Sequence, residues 1–323
     1  MSKPIRHAEY AGSWYPGNKD ALTRMLETCF KSSFGPGKLP KRDAPASTSG
    51  SLVGIISPHA GYSYSGGVAS NGYYAIAEDG IPSTVILIGH HGGFDSVYVQ
   101  TVGSWETPLG TSIVDEEVAS KIAAVAKEIK VDSNRVISIA DNTFELQLPF
   151  IQYLSSGIKI VPIAAGSRTY SKIKNAAGEL STGLQEYFST GTKKKVVIVA
   201  STDLTHYGLM HFGFAPASGK PPKEENAWVK NNDERVLKMI QNLDEMDTES
   251  ILEEALDNQN ICCPGAITLA METMKQLKLK CKFNKLDVRL LKQATSYDVE
   301  PRGEGPGFSA VGYASMAIMK GVY

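Results

Sequence analysis

The sequence has little cysteine, no long apolar run and almost no excess charge. Its four cysteines in 323 residues, Cys29, Cys262, Cys263 and Cys281, are too few and too irregularly spaced for a disulfide framework. They suit a reducing, cytoplasmic setting in which free thiols can serve as ligands. Although 42% of the chain is apolar, no uninterrupted segment is long enough to span a bilayer, which argues against membrane insertion. The formal net charge is -1, and the basic residues are scattered apart from Lys193-Lys194-Lys195, so the chain presents no electrostatic footprint for nucleic acid. The opening stretch MSKPIRHAEYAGSWYPG carries charge and aromatics where a secretory signal needs an apolar segment, so secretion is not expected. Two stretches are poor in the apolar residues needed to offset ordering: residues 31–50, and residues 214–225 with PASGKPPKEE. Both read as surface loops.

What is present alternates. Short β-branched runs are each followed by a Gly-, Pro-, Ser- or His-rich loop and then by a segment with helical spacing, the pattern of β-α units feeding a mainly parallel central sheet flanked by helices. Strands are predicted at Leu52 to Ser57, Thr84 to Ile88, Ile158 to Ala165, Lys195 to Ala200, Lys285 to Leu291 and Ala310 to Met319. Apolar residues recur at three and four over Ala21 to Phe30, Glu116 to Ile129, Lys172 to Phe188, Asp233 to Ile240 and Ile267 to Leu277, which predicts helices there. The length allows one or two domains.

Reactive residues fall where the predicted strands end. His59 follows the first strand, His90 and His91 follow the second, and STDLTHYG follows the fourth with Asp203 and His206. The carboxyl ends of parallel strands share one edge, and ligands bind in the crevice outside it. Cys262 and Cys263, in NICCPGAITL, directly precede a predicted helix. Each residue also has a plain structural reading. A lone His59 is more often a packed histidine, Asp203 suits a turn or a helix cap, and free cysteines are commonly small core hydrophobes. His7 and His211 read as ordinary surface or packing residues. Convergence on one rim is what favours a site.

The wording of several segments resembles one family. HAEYAGSWYPG, SPHAGYSYSG, WETPLGTSIVDEE, FELQLPFIQYL, STDLTHYG and the Cys262 segment occur in the order expected of the Memo family, named after a mediator of receptor-tyrosine-kinase-driven cell motility. The resemblance covers nearly the whole chain. It implies one large α/β domain over residues 1–323, similar to class III extradiol ring-cleaving dioxygenases, and a non-haem metal held by His59, a second histidine and Cys262. The family motif has one residue more than Gly89-His90-His91-Gly92. Counting back from the glycines points to His91 as the second ligand, with His90 the alternative. Asp141-Asn142-Thr143 stands where the family has a Glu-His pair, and Asn142 cannot transfer a proton as imidazole can. The resemblance makes Asp203 and His206 candidate proton-transfer groups and Glu145, Tyr62 and His90 candidates for supporting the ligands or touching substrate.

Two imidazoles and a thiolate suit Fe(II), Cu or Zn. The resemblance favours Fe(II) and a redox or dioxygen-using reaction on a small molecule, linked to motility and signalling. An adaptor that binds phosphotyrosine peptide without catalysis is one alternative, and a zinc-dependent hydrolase is another.

Overall fold

Four of the predicted runs are apolar along their length because both of their faces are covered, as expected of central parallel strands. The protein is described by a computed structural model over residues 3–44, 50–191, 194–301 and 307–321. Residues 45–49 of the first expected loop and Lys193 of the lysine run lie outside these. In chain order the strands are β1 (Ile5–Arg6), β2 (Leu52–Ser57), β3 (Thr84–Gly89), β4 (Val97–Val99), β5 (Ser104–Thr107), β6 (Gly110–Ile113), β7 (Ile129–Val131), β8 (Lys159–Ala165), β9 (Val196–Ser201), β10 (His206–Tyr207), β11 (Leu286–Thr295) and β12 (Ala310–Lys320).

Nine of these strands form one sheet in the order β10-β12-β2-β9-β3-β8-β4-β7, with β11 paired to β12, while β1, β5 and β6 make a small separate sheet. The fold is mixed α/β. Its centre is parallel, through β2 with β9, β9 with β3 and β3 with β8. Both margins depart from the parallel expectation: β12 runs antiparallel to β2 and β11, and β4 antiparallel to β8. Parallel neighbours need a crossover that packs on the sheet. Among the described residues only the single-turn helix Ser296–Val299 separates β11 from β12, so the chain doubles back instead.

Helices Tyr170–Ser189 and Pro264–Lys280 cover one face of the sheet, burying Ile173, Leu180, Leu269 and Met271. Helices Lys19–Lys31, Tyr62–Asp79 and Leu148–Leu154 cover the other, around Phe30, Tyr73 and Phe150. The helix Tyr62–Asp79 has no regular apolar stripe, which hides it from a search for helical spacing. Its glycines serve close packing: a Cβ on Gly66 would lie 2.5 Å from Cys29 Sγ. Helix Thr248–Asn258 is a second element the spacing did not suggest. The segment 214–225 is irregular only as far as Pro221, because Pro222 opens a helix that runs to Gln241 and contains the expected Asp233 to Ile240. A proline at the first helical turn loses no hydrogen bond, so PPKEE is a helix start. The helix expected to reach Ile129 ends at Val125, and Ile129 enters β7 beside β4. Among the described residues no helix is long and apolar enough to cross a membrane.

Gly265, in the first turn of helix Pro264–Lys280, lets that helix approach the end of β8. An added Cβ would sit 2.1 Å from the carbonyl oxygen of Ser167 and 3.0 Å from that of Ala165, both backbone atoms that cannot swing aside. Gly265→Ala is therefore expected to destabilise the fold by about 1–3 kcal/mol, the usual cost of overpacking, and to lower the urea midpoint. An unchanged midpoint would show that the helix can move away at no cost.

Candidate metal centre

Because β2, β9 and β3 are adjacent and parallel, their carboxyl ends emerge side by side. The loops after them carry His59, Thr202-Asp203 and His90-His91. Cys262 reaches the same place by pairing with the β9 loop: its N–H donates to the Asp203 carbonyl at 3.1 Å, and the Asp203 N–H donates to Cys262 Sγ at 3.2 Å. Donor atoms of His59, His91, Cys262 and Cys263 all lie within 4.8 Å of one another.

Each imidazole is oriented from behind. Ser201 donates its hydroxyl hydrogen to the Thr143 carbonyl at 2.6 Å, so its oxygen must accept both from Gln147 Nε2 at 2.9 Å and from His59 Nδ1 at 3.0 Å. Gln147 is itself fixed by the Tyr73 hydroxyl at 2.7 Å. This network assigns the proton of neutral His59 to Nδ1 and leaves Nε2 as the free acceptor. His91 Nδ1 meets Asp141 Oδ2 at 2.9 Å, which likewise frees its Nε2. The two Nε2 atoms then face each other at 3.2 Å, and Cys262 Sγ lies 3.4 Å from His59 Nε2. Two lone pairs so close repel unless a proton or a cation lies between them.

His90 takes a different course. Its φ of 106° is a conformation that favours glycine, and it turns the chain so that neighbouring imidazoles diverge. His90 Nε2 donates to the Ile139 carbonyl at 2.9 Å, and Nδ1 accepts from the Gly92 N–H at 2.9 Å. Both ring nitrogens are thus engaged away from the cluster. Burial lowers the pKa of His90 and keeps it neutral.

The charges of the metal-free cluster support one another. Burial opposes an imidazolium at His91, yet the Asp141 bond and the Cys262 sulfur overcome it and raise its pKa to about 10. Asp141, despite its own burial, is held well below the usual carboxylate range by His91. Burial alone would raise the Cys262 thiol, but the bonded Cys263 thiol and the facing imidazoles hold it well below its ordinary value. Burial and the neighbouring Cys262 sulfur push Cys263 in the opposite direction.

Asp203 and His206 flank the donors. Asp203 Oδ1 accepts the His59 N–H at 2.7 Å, while Oδ2 stands 3.9 Å from His59 Nε2 and 4.0 Å from His206 Nε2. His206 Nε2 is buried beside the Cys262 sulfur and the Asp203 carboxylate. Burial raises the Asp203 pKa against the lowering effect of His59; at His206 burial is outweighed by Cys262 and Asp203, and the pKa rises. A cavity of about 530 Å³ lined by Trp14, Tyr64, Phe308 and Tyr313 has Ala60 and Gly61, directly after His59 in the chain, in its wall, although none of the cluster's donors lines it. His211, given no role from sequence, also borders it.

Two candidates lie elsewhere. Glu145 accepts from the Glu9 and Tyr10 N–H groups and from the Tyr15 hydroxyl, so it anchors the N-terminal segment and bonds neither imidazole. Tyr62 donates its hydroxyl to the Leu146 carbonyl at 2.6 Å inside the core. Asn142 bonds the His59 carbonyl at 3.2 Å. The supports that spacing did not single out, Ser201, Gln147 and Asp141, sit inside or beside the quoted motifs, but only folding shows which of those polar residues faces an imidazole.

A family profile described as Memo-like protein matches residues 6–317. A MEMO1 family protein of Methanopyrus kandleri is 32% identical over 98% of this chain and 99% of its own length. Another, from Sulfurisphaera tokodaii, is 34% identical over 97% of this chain and 98% of its own. The crystal structure of an uncharacterized protein from Escherichia coli K12 superposes with a TM-score of 0.51 at 11% identity, covering 82% of this chain and 99% of that one, which extends the likeness of fold alone.

The raised pKa of His91 predicts that, without metal, the His91–Asp141 pair makes stability depend on pH. The folded pKa of His91 is raised, to about 10, above an unfolded value of roughly 6.5. Its contribution is therefore fully present below about pH 6.5 and is lost as pH rises through about 10. Asp141→Asn should thus lower the denaturation midpoint most near pH 6, with the gap to wild type narrowing towards about pH 11. A gap that stays constant or widens over that range would contradict the assignment.

Proposed function

The chain belongs to the Memo family, and we propose that it holds one iron or copper ion between His59, His91 and Cys262, for redox or oxygen-dependent chemistry on a small molecule in a reducing cytoplasm. The observation that carries this reading is the facing pair of Nε2 atoms, 3.2 Å apart with each Nδ1 already engaged, beside a sulfur at 3.4 Å. For an ion of zinc's size, metal–nitrogen bonds of about 2.0–2.1 Å and metal–sulfur bonds of about 2.3 Å at roughly tetrahedral angles would separate ligand atoms by about 3.3–3.6 Å, a spacing that fits one such ion without choosing among iron, copper and zinc. The two imidazoles and the sulfur are thus spaced for one ion.

Iron(II) is the first assignment and copper the second, since both suit imidazole with thiolate and both change oxidation state. When bound, such an ion supplies redox chemistry with coordination positions left open. The chain supplies the rest. Ser201 and Asp141 hold His59 and His91 in the donor tautomer. Asp203 and His206 hold a proton beside the cluster, with the Asp203 Oδ2 between two imidazoles and His206 facing the site. The neighbouring cavity, walled by aromatic side chains, receives the apolar part of a substrate.

Metal content after anaerobic reconstitution and desalting tests this assignment. Wild type should retain about one iron or copper per chain, His91→Ala and Cys262→Ser should retain little, and His90→Ala should keep most of it. Asp203→Asn should keep the metal while changing the pH profile of oxidant-dependent turnover. Full retention in Cys262→Ser would overturn the ligand set. Zinc alone, with hydrolysis and no redox turnover, would replace the redox reading with the hydrolase. Undiminished phosphotyrosine-peptide binding by metal-free protein, again without turnover, would favour the adaptor.

A further inference from the structure

Cys263 has no place in the three-ligand centre, yet its thiol is fully buried with Sγ 3.5 Å from that of Cys262. We propose that Cys262 and Cys263 form an oxidative modification site that takes a hydroperoxide and closes a reversible disulfide between adjacent residues, withdrawing Cys262 from the metal-binding set. The last clause rests on the proposed function; disulfide closure does not.

Three features of the surroundings support the pair. The Cys262 residue is partly exposed whereas Cys263 is fully buried, so of the two sulfurs that of Cys262 lies nearer the solvent and meets a small oxidant first. The Asp203 N–H at 3.2 Å and the Thr202 hydroxyl at 3.5 Å are hydrogen-bonding neighbours of its sulfur. Among the described residues the other two thiols belong elsewhere: Cys29 packs with Leu26 and Phe30 under helix Tyr62–Asp79, and Cys281 closes the far end of helix Pro264–Lys280. Cys263 is therefore the thiol placed to resolve an oxidised Cys262, as redox-sensing cysteines require.

The chemistry balances. Cys262 sulfur attacks one peroxide oxygen, the O–O bond breaks, and the sulfur becomes a sulfenic acid as the other oxygen leaves and is protonated. Cys263 sulfur then attacks Cys262 sulfur, the S–O bond breaks, the S–S bond forms, and the departing hydroxide takes up the thiol proton. In sum, two thiols and one hydroperoxide give a disulfide, one water and one alcohol, or two waters with hydrogen peroxide. Neighbouring Cα atoms are only about 3.8 Å apart across a trans peptide, below the usual disulfide range of roughly 4.4–6.8 Å. The bridge is thus strained and readily reduced, which suits a reversible modification.

The test uses reduced, metal-free full-length protein treated with one equivalent of hydrogen peroxide. Intact mass should fall by about two hydrogens, and peptide mapping without reductant should place the link at Cys262–Cys263, reversed by dithiothreitol. Cys263→Ser and Cys263→Ala, both checked for folding by circular dichroism, should instead accumulate a dimedone-trappable sulfenic acid at Cys262, which a second equivalent of peroxide carries on to sulfinic acid. Wild type that keeps a dimedone-trappable sulfenic acid with no link, that a second equivalent carries on to sulfinic acid, or that links other cysteines, would overturn the proposal. Oxidised wild type should also lose metal uptake and regain it on reduction. If the link forms but even reduced protein takes up no metal, the metal assignment fails while the modification site stands.

Discussion

Asp203 is the joint on which the centre depends. Its carboxylate accepts the backbone N–H of His59, its own N–H donates to Cys262 Sγ, and its carbonyl accepts the N–H of Cys262. One residue thereby ties the loop after β2 to the segment before helix Pro264–Lys280. The frame beneath is the parallel centre of the sheet, which delivers these loops side by side, and Thr202 continues it by donating its N–H to the Ser57 carbonyl at 3.0 Å. Donor atoms drawn from positions 59, 91 and 262 can converge only if such short connections fix the loops to one another. Their loss would spread the donors even if each side chain remained.

A second constraint is polar satisfaction beneath the imidazoles. Tyr73, Gln147 and Ser201 form a buried chain that ends on His59 Nδ1, and Asp141 with Thr143 does the corresponding task for His91. Buried polar groups without partners are costly, so these chains specify one orientation of each ring. The free nitrogens are forced towards each other in consequence. The same logic makes His90 uninformative as a ligand: both of its nitrogens are already used, one by a carbonyl and one by a backbone N–H.

Much of this was legible before folding. The β-branched runs located the central strands because burial on both faces leaves little choice of residue, and strand-end placement pointed to one rim for His59, the His90-His91 pair, Asp203 and His206, while Cys262 was reached only through the family resemblance. Spacing could not separate His90 from His91, since the choice turns on a backbone conformation at His90 that no residue count reveals. Glu145 looked like a support for an imidazole because of its motif, but the N-terminal segment, far away in sequence, claims its carboxylate. The helix Tyr62–Asp79 escaped notice because tight packing against Cys29 and Ile55 selects glycine where an amphipathic stripe would carry leucine. The antiparallel margin was equally hidden, because alternation of apolar runs does not show which way a late strand enters the sheet.

X-ray absorption spectroscopy of anaerobically reconstituted protein reads the centre most directly. Coordination by His59, His91 and Cys262 predicts one sulfur and two imidazole nitrogens around a single iron or copper, with the sulfur contribution absent from any metal that Cys262→Ala still holds. A shell of oxygen and nitrogen alone in wild type would contradict the thiolate ligand and, with it, the assignment of this cluster as the metal centre.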